Sequence, residues 1–482
     1  MPQNVRLFLI AFSARPMGGT RSKKALVVRN VALATNKLQE AHAMMRIAPR
    51  IVQDKLKSSL TEVEKIKELF IRNPGVNFTR ERKLPFGSVI NMMLKFSGQT
   101  LQNEISEFFV PPGNVPESVP TKSAFIQQRG KILPDAVKYL MWTFTDALPF
   151  LKTFNGYRLF ACDGSDVPIP RNTDEEAYSV TTREDRKSYN MLHINGLFDI
   201  MNRIFVDCIV DPGMHARERL ALETMVSRIK EPGKAIIIAD RGYEGFNCIA
   251  HLIENEVKFA IRAKDIDSNG FLQALHLPSS DEFDVDIQRT LTFNIPKDHK
   301  NDPSYVKVYR GFFDFLENGS TYDIAFRVVR FKLPNGTYEC IVTNLSHDSF
   351  SPKELRDLYH RRWQIENAYR DLKYTVDMLH FHGKSADAVL LELFSSLTMF
   401  NFCAYIAVHC DPLNHSNATK YRYKVNFANT VGPCRAYLHG SISEAELLDR
   451  LRLSPTPIRP NRQVRRSRIK EQSSREFNYR AS

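Results

Sequence analysis

From residue 61 to 150 apolar positions recur every three or four residues, in TEVEKIKELFIRN, FGSVINMMLKFSG, TLQNEISEFF, TKSAFIQQRGKI and PDAVKYLMWTFTDAL. That spacing predicts a set of short amphipathic helices. A further helix is expected upstream, at VALATNKLQEAHAMMRIA. The breaks fall where turn chemistry belongs, at Asn73-Pro74-Gly75, Gly98 and Pro111-Pro112-Gly113. Ser123 is the expected N-cap of a helix carrying Gln127, Gln128 and Arg129.

At residue 157 the period changes. YRLFACDGSDVPIP predicts a strand ending at Asp163, and MLHINGLFDIMNRIFVDCIVD predicts two more with a turn near Asp199 to Arg203. A helix is expected in ARERLALETMVSRIK, then a continuous apolar strand, KAIIIAD, of the kind buried on both faces and stopping at Asp240. A second helix, FNCIAHLIENE, and a strand, VKFAIRAK, complete a mixed α/β sheet with acids at strand ends, where ligands of open α/β sheets gather. Residues 265–340 then turn strand-rich, in FDVDIQRTLTFNI, SYVKVYRGFFDF, YDIAFRVVRFKL and TYECIVTNL, with hairpin signals at Asn318-Gly319 and Asn335-Gly336. A β insertion is expected there inside the α/β domain.

The next helix enters through Ser351-Pro352-Lys353-Glu354, with serine capping, proline starting and Glu354 at the third position. It carries YHRRWQIENAYRDLK, residues 359–373. At about 100° per residue, Arg362, Glu366 and Lys373 fall at roughly 300°, 340° and 320° from Tyr359, so the four side chains share one stripe. A solvated surface held by local pairs such as Arg362 with Glu366 accounts for part of this. A carboxylate that binds metal among groups that grip phosphate accounts for all of it.

Charge narrows the choice of partner. The chain of 482 residues carries +13, and residues 1–150 hold 22 Lys or Arg against 11 Asp or Glu. Residues 451–482 hold nine against two, which leaves the middle mildly acidic. Basic ends around an acidic centre suit a polyanion gripped about a carboxylate site that recruits divalent metal. The segment with Gln127, Gln128 and Arg129 then reads either as a helix entering a DNA groove or as ordinary helical surface.

Seven cysteines without a C-x-x-C pair read as reduced core residues of a cytoplasmic protein, with neither a disulfide framework nor a zinc site. Residues 388–410 are long enough to span a membrane, yet Glu392 and Asn401 favour a buried helix, and residues 5–14 are too brief and too basic in context for a signal segment. No membrane association is expected.

Three carboxylates stand out. Asp163 and Asp240 sit at strand ends and Glu366 on a helix, an arrangement able to bring them together on two hard cations, Mg²⁺ or Mn²⁺, roughly 4 Å apart for phosphodiester attack. With CDGS at 162–165 and ADRGY at 239–243, the spacing Y-(2)-R-(3)-E-(6)-K of Tyr359, Arg362, Glu366 and Lys373 resembles the DDE transposases of the IS-four family of bacterial insertion sequences. NFTRERKLPFGSVINMML and TKSAFIQQRGKI extend the resemblance over residues 77–410.

The resemblance implies an α/β fold: a ribonuclease-H-like mixed sheet over 151–264 and 341–410, with a β-rich insertion at 265–340. An α-helical, DNA-binding region at 1–150 precedes it, and a C-terminal region with a basic tail follows at 411–482. It implies that Asp163, Asp240 and Glu366 are the catalytic, metal-binding triad. Tyr359, Arg362 and Lys373, with Arg241 in addition, would bind DNA phosphates. The partners implied are double-stranded terminal repeats and target DNA, held by a homodimer on the bacterial nucleoid. A metal nuclease of the same fold without strand transfer, and a silent DNA-binding derivative, are the alternatives.

Relatives that cut through a DNA hairpin stack a flipped base on a tryptophan of the insertion, whereas this chain has only Trp142 and Trp363. Tyr309, Phe312 and Phe313 are the aromatics available there. Trp363 is expected in the core. His380 and His382 are expected to pack or contact DNA rather than bind metal, and Asp166 is not counted in the triad. His215 and Glu218 open a helix as neighbours of the site or as caps.

Overall fold

The change of period at residue 158 is carried through in the computed structural model, which describes residues 48–80, 82–110, 119–181, 188–213, 217–410, 421–453 and 455–459. The upstream helix, the turn at Pro111, His215 and the arginine-rich end beyond 459 lie outside these. Five α-helices come first among the described residues: α1 Pro49–Lys65, α2 Phe86–Leu94, α3 Leu101–Phe109, α4 Lys122–Arg129 and α5 Asp135–Asp146. The helix expected over 61–73 is the end of α1, which starts at Pro49, where a missing N–H costs nothing. Thr121 rather than Ser123 caps α4, accepting from the Ala124 N–H at 3.2 Å. Arg129, expected on its outer face, is buried and paired with Glu392.

Next come β1 Arg158–Ile169, the short β2 Ser179–Val180, β3 Tyr189–Asp199 and β4 Ile204–Pro212. After α6 Glu218–Val226 comes β5 Ala235–Ala239, and after α7 Phe246–Glu254 comes β6 Lys258–Ala263. β1 pairs β3 antiparallel and β3 pairs β4 antiparallel, while β5 lies parallel to β1 and β6 parallel to β5. The order β4-β3-β1-β5-β6 is the ribonuclease-H-like mixed sheet. All five residues of β5 are buried, as a strand covered by helices on both faces requires.

The insertion does not form a sheet of its own. β7 Phe283–Thr292, β8 Tyr305–Lys307, β9 Tyr322–Lys332 and β10 Tyr338–Thr343 continue the same ten-stranded sheet, with β10 antiparallel to β6. β10 therefore carries the chain across residue 340, where the insertion was expected to end. Asn335-Gly336 makes the expected hairpin between β9 and β10, with Gly336 at φ +84°. Asn318-Gly319 turns the chain but joins no hairpin, because β8 pairs with β7 and not with β9.

The stretch 352–375 is not one straight helix. α8 Pro352–His360 opens on the expected capping box at Ser351 and Glu354; α9 Trp363–Arg370 follows a bend at Arg361 and Arg362, and a π-helical turn spans Asp371–Thr375. α10 Ala386–His409 is long and apolar enough to cross a membrane, yet 89% of its apolar window is buried among the other helices and the sheet. Each Leu or Phe it buries contributes about 1.5–3 kcal/mol. All seven cysteines are buried and none forms a disulfide. A small sheet of β11 Arg422–Val425 and β12 Pro455–Ile458, with α11 Val431–Leu438 and α12 Glu444–Arg452 between them, forms the described C-terminal part.

Candidate active site

Strand register brings the first two acids side by side. β1 runs on to Ile169 against β3 rather than ending at Asp163, but its parallel pairing with β5 stops at Cys162 opposite Ala239. Asp163 and Asp240 are each the next residue, at the carboxyl edge of adjacent parallel strands where the sheet opens. Asp240 Oδ1 accepts from the Gly242 N–H at 2.8 Å, which turns the chain sharply through Arg241. The Asp163 Oδ1 accepts from the Gly164 N–H at 3.0 Å.

α9 supplies the third acid. Tyr369 is buried with its hydroxyl 2.9 Å from the Asp163 carbonyl and 3.2 Å from that of Ile194, which fixes α9 against β1 and β3. Only a glycine fits below it, since a Cβ on Gly196 would lie 2.6 Å from that hydroxyl. Arg362 then reaches both acids, donating to Asp163 Oδ2 at 3.1 Å and to Glu366 Oε1 at 2.8 Å. Lys373 donates to Ser165 Oγ at 2.8 Å and to the Asp166 carbonyl at 2.6 Å, so the π-helical turn brings it onto the same strand. Tyr359 is buried beside Arg362, and Arg241 is exposed after Asp240. Tyr369 was missed in the sequence, although 359, 362, 366, 369 and 373 complete a three-four-three-four spacing.

The electrostatics match an acid-rich pocket. Burial above all, with Asp240 and Glu366, raises Asp163 to about 6 against the opposing pull of Arg362. Burial works against the charge of Arg362, but Tyr359, Asp163 and Glu366 outweigh it and raise its pKa. Burial lowers Lys373 and raises Tyr359. A carboxyl whose folded pKa lies above its unfolded one binds a proton more tightly when folded, so its stability contribution falls as pH rises through 6. In chelator, Asp163→Asn should therefore gain on the wild type by up to about 3 kcal/mol between roughly pH 4 and pH 8. Chemical denaturation across that range checks this; a difference that does not change with pH contradicts it.

The donor set fits hard divalent cations: carboxylate oxygens dominate, and the charges of Asp240 and Glu366 both act on Asp163. The nearest thiol, Cys162, is buried and held protonated by that burial. Among the described residues the side chains whose ligand atoms all lie within 4.8 Å of one another are instead Glu223, His251 and Asp314, from α6, α7 and the insertion. Hydrogen bonds already account for that group: His251 Nε2 lies 2.8 Å from Asp314, and Asn247 donates to both acids.

Other sequence candidates take plainer roles. Asp166 holds His193 Nδ1 at 2.7 Å. His380 pairs with Asp377, and the His382 ring packs edge-on against Phe96 at 4.9 Å. Trp363, expected in the core, is 41% exposed, with the Arg362 guanidinium 5.4 Å from its ring centre. Tyr309 and Phe312 are 66% and 80% exposed, whereas Phe313 is buried and offers no stacking face.

Residues 154–402 match the family model described as the transposase DDE domain. No curated protein sequence matches the chain. Among solved structures, it is similar to a piggyBac transposase synaptic complex with hairpin DNA, determined by cryo-EM, at 9% identity and a TM-score of 0.41, over 83% of this chain and 82% of that one.

Proposed function

The chain belongs to the transposase DDE domain family, and from that premise we propose that it is an IS-four-type transposase: it binds the inverted-repeat ends of its own element, cleaves them and joins the 3′ ends to target DNA. The observation that carries the reading is the edge shared by Asp163 and Asp240, with Arg362 linking Asp163 to Glu366. Two divalent cations, Mg²⁺ or Mn²⁺, held by Asp163, Asp240 and Glu366, would activate the attacking oxygen and stabilise the leaving one. Arg362 offers a planar fork that can pass from the acids to a DNA phosphate, while Lys373 offers a point charge. Tyr359, buried beneath Arg362, orients that fork, and Arg241 stands where the flanking phosphates would pass. The basic N- and C-terminal regions grip duplex DNA, and a homodimer holds two ends together.

Incubating the purified chain with labelled terminal-repeat duplexes, target plasmid and Mg²⁺ tests this. Joined product is expected. Cleaved ends that never join would favour a nuclease without strand transfer, and bound but uncut ends a silent DNA-binding derivative.

Should the insertion stack a base, exposure favours Tyr309 or Phe312 over the buried Phe313. Base–aromatic stacking is worth about 1–3 kcal/mol, so Phe312→Ala or Tyr309→Ala should reduce unpairing of the terminal base by about 5- to 150-fold. Fluorescence of 2-aminopurine at that base reads the effect. Phe313→Ala should instead lower the melting temperature, and unpairing unchanged in both exposed variants would remove the insertion from end opening.

A further inference from the structure

Beside Asp163 and Asp240 stands a fourth carboxylate. Glu218 opens α6, and its two oxygens face the two acid-bearing strand ends separately. A Cβ on Gly164, the residue after Asp163, would lie 2.6 Å from Glu218 Oε1. A Cβ on Gly242, two residues after Asp240, would lie 3.0 Å from Asp240 Oδ1 and 3.3 Å from Glu218 Oε2. Glycines thus stand against both oxygens of the carboxylate: a side chain at Gly164 would press on Oε1, and one at Gly242 would crowd Oε2. Arg219 Nε donates to the Gly242 carbonyl at 2.8 Å, tying α6 to the turn that Asp240 makes.

The second observation is His193 on β3. It is 8% exposed, its Nδ1 lies 2.7 Å from Asp166, and its Nε2 is buried without a hydrogen bond although Glu218 Oε1 is only 3.3 Å away. A buried ring nitrogen is thus aimed at the Glu218 carboxylate from one side while Asp240 stands on the other.

We propose that Glu218 is a further ligand for the divalent cation bound by Asp240, and that the Asp166–His193 pair positions it. His193 acts through Glu218 and does not itself touch the cation. This rests on the reading of Asp163, Asp240 and Glu366 as cation ligands, and the test separates the two.

The full chain, freed of metal and without DNA, is titrated with Mn²⁺, and the free ion is followed by its electron paramagnetic resonance signal. The sites lost in Asp240→Asn define the ions in question. Glu218→Gln should weaken the same sites about tenfold or more, and His193→Ala by a smaller factor of the kind expected for an outer partner. Melting in chelator monitors folding; should Glu218→Gln not fold, Glu218→Asp replaces it and is expected to weaken the sites as well. Wild-type Mn²⁺ affinity in a folded Glu218 variant, with the sites lost in Asp240→Asn, overturns the role of Glu218 alone. Mn²⁺ binding unchanged in both Asp240→Asn and the Glu218 variant overturns the reading of the acidic site as well. A loss in His193→Ala larger than in the Glu218 variant overturns the positioning role.

Discussion

Glu366→Gln is expected to lower divalent-dependent cleavage of terminal-repeat DNA by at least about 10³-fold while leaving end binding within a few fold of the wild type. The change keeps the shape of the side chain and its place on α9, and removes one charge. Arg362 keeps its bond to Asp163 at 3.1 Å, so the helix stays docked, as Tyr369 also ensures from the Asp163 and Ile194 carbonyls. Binding of ends depends instead on basic groups spread along the chain and should fall steeply with salt in variant and wild type alike. Gel-shift and cleavage assays on one preparation separate the effects; parallel loss of both would assign Glu366 to structure.

The largest expected effect on stability lies elsewhere. Arg129→Met should destabilise the protein by about 3–5 kcal/mol, because Glu392 would remain charged and buried in α10. Both side chains are about 95% buried, and Glu392 also accepts from the His382 N–H at 2.8 Å, so it cannot turn outward to water. A double variant, Arg129→Met with Glu392→Gln, should recover much of the loss by removing the stranded charge. Denaturant unfolding of the single and double variants measures both. A single variant as stable as the wild type would mean that water already reaches the pair.

These two sites differ in how far they could be read from the chain. β5 was legible because AIIIA is five apolar residues in a row, a local signal whose end marks Asp240. The register that sets Asp163 beside Asp240 was legible only in part: β1 continues past Asp163 because β3, not β5, supports its second half. Long-range pairing hid the rest. Arg129 meets Glu392 across 263 residues, and nothing near Arg129 distinguishes it from a surface arginine. The insertion looked separate because its hairpins are local signals, while the pairing of β10 with β6 is not. The stripe from Tyr359 to Lys373 was legible as a spacing, but its bend falls where Arg362 reaches Asp163 and its π-helical turn where Lys373 is held on β1. Glu218 read as a cap or a neighbour of the site, and its place beside Asp240 stayed hidden because Gly164 and Gly242 come from two other elements.

The proposed function stands on acids from two strand ends and one helix holding the cations that act on DNA. Anomalous diffraction from crystals of the full chain soaked in Mn²⁺ tests it most directly. Mn²⁺ peaks ligated by Asp163, Asp240 and Glu366 are expected, with Arg362 turned away from at least one of these acids. Peaks confined to Glu223, His251 and Asp314, with Arg362 still joining Asp163 to Glu366, would contradict it.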